Sequence, residues 1–101
     1  MNVARDAFRG IVRHRDGKPD ELIKFIEANE PAVRHVINFL EEMATCCRHD
    51  LVDVPLMKSQ FDAVITSTWD TLFPWVRKVR DEAKSNIWED VEFLYYKWKQ
   101  P

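Results

Sequence analysis

The chain carries two glycines in 101 residues, Gly10 and Gly17. Tight hairpin turns need positive φ, which glycine supplies at the least steric cost, so this scarcity argues against an all-β domain. It also leaves no room for either common Gly-rich phosphate-binding loop. What remains is a chain of helices joined by short connections. A length of 101 residues points to a single domain over 1–101, and 46% hydrophobic residues supply a core.

Hydrophobic spacing locates the helices. Asn2 can cap a first helix with Ala4, Ala7, Phe8, Ile11 and Val12 on one side, ending near Asp16 with Gly17 beyond it. Pro19-Asp20-Glu21 opens a second helix, whose apolar side is Leu22, Ile23, Phe25 and Ile26 and whose stop is Asn29. Pro31 opens a third, with a stripe of Val33, Val36, Ile37, Leu40, Met43, Ala44 and Cys47. His49 to Val52 interrupts the pattern, and Asp53 with Pro55 restarts it. Phe61, Ile65, Thr68, Leu72, Val76 and Val79 then keep one phase straight through Pro74. Residues 55–84 are therefore expected to form one long helix kinked at Pro74. Ser85-Asn86, with Glu89 three residues on, is expected to cap the last helix, whose stripe is Ile87, Val91, Leu94 and Trp98. The fold class is all-α: a single compact bundle of about five helices, the long fourth one kinked at Pro74.

Fifteen Lys and Arg against seventeen Asp and Glu leave a net charge of -2, without the basic surplus of most nucleic-acid binders. No run approaches the roughly 20 apolar residues that span a bilayer, and the N-terminus MNVARDAFRG has no apolar stretch of a secretory signal. Cys46 and Cys47 are adjacent, which suits no ordinary disulfide, so the expected compartment is the cytoplasm. Cys46, Cys47, His49 and Asp50 lack zinc-ligand spacing, and Cys47 is expected in the core with Cys46 at its border. The pairs Glu41-Glu42 and Asp81-Glu82 should diverge on their helices and be solvated. No convergent chemistry is evident; the expectation is a non-enzyme with no catalytic residue, metal or cofactor.

Two features point outward. Arg5, Arg9 and Arg13 recur every four residues along the first helix. Eight rings crowd the last two helices: Trp69, Phe73, Trp75, Trp88, Phe93, Tyr95, Tyr96 and Trp98. Most belong in the core, but a bundle this small cannot easily hide all of them. Exposed rings and Arg are what protein-binding surfaces are enriched in. The candidate partner-binding residues are therefore Arg5, Arg9, Arg13, Trp75, Trp88, Tyr95, Tyr96 and Trp98.

The segment V-I-N-F-L-E-E (Val36–Glu42), then Arg48 and L-V-D (Leu51–Asp53), is followed by Trp69, Leu72, Pro74 and Arg80, with Phe93 and Leu94 near an aromatic end. In that order they resemble a bacterial and phage family of a domain of unknown function, over roughly residues 20–99. Its members carry an N-F-F-E-E-like helix and a W-x-x-L-x-P helix. Many of them look membrane-tethered through an N-terminal apolar span, which this sequence lacks. The resemblance implies an all-helical fold and a prokaryotic or phage setting, and no reaction. Asn38, between Ile37 and Phe39, is expected to border the core and bond to a neighbouring helix turn.

The resulting expectation is a small protein acting through a protein partner, a regulator or inhibitor that occludes a partner surface. A second copy of the chain is one candidate partner. The alternative is a nucleic-acid-binding helical domain that uses the Arg5/Arg9/Arg13 face.

Overall fold

The structure, a computed structural model, describes residues 19–99. They form four helices: α1 (Pro19–Ala28), α2 (Glu30–Arg48), α3 (Val54–Ala83) and α4 (Glu89–Lys99). The helix expected over residues 2–16 lies outside the described residues, so the described bundle has four helices rather than five. No strand occurs among the described residues.

Asn29 separates α1 from α2 by a single residue, because its Nδ2 donates to the Phe25 carbonyl at 2.9 Å and so holds the end of α1. On α2, the seven apolar residues spaced three and four apart are the seven that are buried. α3 opens on Asp53, whose carboxylate accepts from the Leu56 N–H at 3.1 Å. The helix continues unbroken past Pro74 and stops at Lys84, which adopts the left-handed conformation at φ 51°. Ile65, Thr68, Leu72, Val76 and Val79 are buried along it, with Trp69 and Trp75 beside them.

α4 begins at Glu89, three residues beyond the expected Ser85-Asn86 cap. The cap comes from elsewhere. Glu41 of α2 accepts the Val91 N–H at 2.8 Å and the Asp90 N–H at 3.4 Å, so a carboxylate from another helix satisfies donors that the local sequence leaves open.

α4 packs along both α2 and α3. Side chains of α2 from Asn38 to Arg48 all reach the start of α4, between Trp88 and Val91. Arg80 meets Glu92 and Asp70 meets Tyr95, so α3 runs antiparallel to α4. The core between them holds Trp69, Trp75 and Trp88. At about 25 cal/mol/Å², burying each indole contributes at most about 5 kcal/mol, which is how so short a chain obtains a core.

Candidate functional site

One side of α2 carries Asn38, Glu41, Thr45 and Arg48, spaced three, four and three apart, which places them in one row. Each grips the start of α4. Asn38 Oδ1 accepts from Trp88 Nε1 at 2.8 Å. Thr45 Oγ1 donates to Asp90 Oδ2 at 2.5 Å, and Arg48 Nη1 donates to Asp90 Oδ1 at 2.7 Å. Burial pushes the Glu41 carboxyl above its ordinary 4.5, and the two backbone N–H bonds oppose that rise. Asp90 is held below its ordinary 3.8, first by the Thr45 hydroxyl and then by Arg48. Glu41, expected to be solvated, is instead partly buried in this clasp, while Glu42 is exposed. Asn38, expected to border the core, is exposed, and its bond goes to the Trp88 side chain in the turn before α4.

The clasp fixes Trp88 in a demanding geometry. Its φ is 66°, a region that bulky residues rarely occupy. Its ring stacks on Trp75 at 5.2 Å with an interplanar angle of 28°. Above both rings lies the Arg34 guanidinium, 5.5 Å from each centroid and bonded through Nε to Glu30 at 3.0 Å. A second clamp holds the turn before α4 from the opposite side. Arg80 Nε donates to the Ile87 carbonyl at 3.0 Å and its Nη1 to Glu92 at 3.2 Å, while the guanidinium lies 5.4 Å from the Trp69 ring. Its buried Nη2 has no hydrogen-bond partner among the described residues.

With that inner side fixed, α4 turns Glu89, Phe93, Tyr96 and Lys97 outward. Phe93 is 38% and Tyr96 55% exposed, and Phe73 of α3 is also 38% exposed. Arg48 lies 4.5 Å and Lys97 5.7 Å from the Phe93 centroid, so cations flank the ring. Tyr96 meets Tyr95 edge to face at 5.1 Å. An open cleft of about 520 Å³ lies along the end of α3 and the turn after it, lined by Phe73, Arg77, Arg80, Asp81, Lys84 and, from α4, Glu92 among others. Further exposed apolar residues are Phe39 on α2 and Leu51, Val52 and Leu56 around the α2–α3 connection.

The structure sorts the candidate partner-binding residues. Trp75, Trp88, Tyr95 and Trp98 are core side chains, each under a tenth exposed, so the intact fold does not present them to a partner. The correction has a physical cause: the two indoles stack on each other, and the Tyr95 hydroxyl turns in to donate to Asp70 Oδ1 while accepting from Lys99 Nζ at 2.8 Å. Tyr96 is exposed. Arg5, Arg9 and Arg13 lie outside the described residues. Of the eight rings, the three that reach the surface are Phe73, Phe93 and Tyr96. Phe93 is one of the eight rings that so small a bundle cannot all hide, and helical phase separates it from its buried neighbours Leu94 and Tyr95.

Cys47 is buried and Cys46 partly so, both free; burial pushes the Cys47 thiol up. Among the described residues no three of His, Cys, Asp and Glu are grouped to hold a metal ion, and no helix is long and apolar enough to cross a membrane.

A family model described as "Domain of unknown function (DUF4760)" matches residues 2–98. No curated protein and no solved structure matches the chain.

Proposed function

The chain belongs to the DUF4760 domain family, and from that premise we propose that it is a non-enzymatic protein-binding module whose docking surface is the outer face of α4. What supports the reading above all is one contrast: the four tryptophans are buried, while Phe93 and Tyr96 stand exposed on one helix with Arg48 and Lys97 over Phe93. Rings flanked by cations are the composition of binding hot spots, and a helix clasped on its inner side presents them without further ordering cost. The mechanism is occlusion, in which the module covers a surface of its partner as a regulator or inhibitor. The setting of the reading is the cytoplasm of a bacterium or its phage. It includes a bend of α3 at Pro74, where the helix lacks the N–H that would bond the Asp70 carbonyl.

A photo-crosslinking residue at position 96, in cells that express the protein, tests the reading. The same residue at position 58 is the control, since Lys58 is exposed on α3 far along the chain. The expected result is a discrete adduct from position 96 and none from position 58. Equal yields at the two positions, or none at either, overturn it.

A further inference from the structure

We infer that two copies of this chain associate through the outer faces of their α4 helices, packed antiparallel. The inference rests on the protein-binding reading above and supplies its partner.

Most of the charges on α4 are already engaged within the fold. Asp90 is bonded to Thr45 and Arg48, Glu92 to Arg80, and Lys99 to Tyr95. Glu89 is ion-paired with Arg48 at 3.6 Å, longer than the 2.7 Å Arg48–Asp90 pair, and its side chain is 63% exposed. Lys97 lies over the Phe93 ring, and among the described residues it forms no ion pair. Among the described residues, the acid and the base of α4 least engaged are thus Glu89 and Lys97. Acids at a helix start and bases at its end suit the helix dipole in any helix. Here the dipole accounts for the charge order, and the closer engagement of the other three leaves this pair the most available to a partner.

Glu89, Phe93 and Lys97 are spaced four apart, so they form one ridge with the ring at its middle and Tyr96 beside it. A two-fold axis through Phe93 maps this ridge onto itself with its charges exchanged. Glu89 then faces Lys97 of the partner subunit, and the rings meet at the centre. Parallel packing would instead set like charge on like charge, so charge order selects the antiparallel arrangement. The face is one helix of 11 residues, about 16 Å long at 1.5 Å per residue. It falls below the size of standard stable interfaces, so the pair dissociates on dilution.

Sedimentation velocity from micromolar to millimolar concentration tests the arrangement. The expected result is a reversible monomer–dimer equilibrium. Lys97→Glu and Glu89→Lys, both at exposed positions, each weaken it about tenfold. The double exchange Glu89→Lys/Lys97→Glu restores it to within about threefold, because the faced charges are again opposite. Tyr96→Ser weakens association without touching charge, and circular dichroism confirms that each variant keeps its helices. A chain monomeric at millimolar concentration, a dimer indifferent to the single exchanges, or a double exchange no better than either single one overturns the inference. If the chain stays monomeric while position 96 crosslinks to a different protein, self-association falls and the protein-binding reading stands. If the chain stays monomeric and no adduct forms, both fall.

Discussion

Trp88 sits at φ 66°, where a side chain of its size crowds the backbone at a cost of about 1–3 kcal/mol. The conformation persists because three contacts converge on it: the Asn38 amide oxygen, the stacked Trp75 ring and the Arg34 guanidinium. Next to it, Glu41 and Asp90 push stability in opposite directions with pH. Burial raises Glu41 above 4.5, so the folded state holds that proton more tightly than the unfolded chain. Its contribution is full below 4.5 and is lost as pH rises through the raised value. Asp90 is lowered from 3.8, chiefly by Thr45, so its contribution is present above 3.8 and is lost as pH falls through the lowered value. Glu41→Gln removes the first effect, along with the carboxylate that caps α4, a loss that does not itself follow the Glu41 titration. Relative to that variant, the native protein is expected to gain stability as pH is lowered from neutral towards 4.5. Urea unfolding at stepped pH checks this, and a difference that stays flat or shrinks contradicts it.

At the scale of elements, the connections stop helices without glycine. Asp50, Lys84 and Trp88 hold positive φ, positions that glycine usually fills. Lys84 is exposed, so Lys84→Gly relieves the left-handed cost and is expected to stabilise by about 0.5–1 kcal/mol. Trp88→Gly relieves the same cost but removes a buried indole, and is expected to destabilise by about 3 kcal/mol or more. Thermal unfolding of the two variants distinguishes them by sign. Elements whose signals are local were legible in the sequence. The α2 stripe is written in its spacing, the start of α3 in Asp53, and its continuity in a phase kept through Pro74. The start of α4 was not legible, because its cap is Glu41, 50 residues before the Val91 N–H it accepts. Adjacent acids such as Glu41 and Glu42 look equivalent until another helix arrives on one of them.

At the scale of the whole molecule, the aromatic surplus serves two purposes. Trp69, Trp75, Trp88, Tyr95 and Trp98 give a short chain the apolar volume its core needs. Phe73, Phe93 and Tyr96 remain outside. The sequence makes plain that eight rings exceed what the bundle can cover. It does not say which ones, since Tyr95 and Tyr96 are identical neighbours sorted by helix phase and by the Asp70 partner. The central claim is that the outer face of α4 is occupied when the protein works. Hydroxyl-radical footprinting, comparing cells that express the protein with a dilute purified sample, tests it most directly. Phe93 and Tyr96 should be labelled several-fold less in cells than in dilute solution, while exposed Phe39 on α2 is labelled equally in both. Equal labelling of Tyr96 inside and outside the cell would contradict the account.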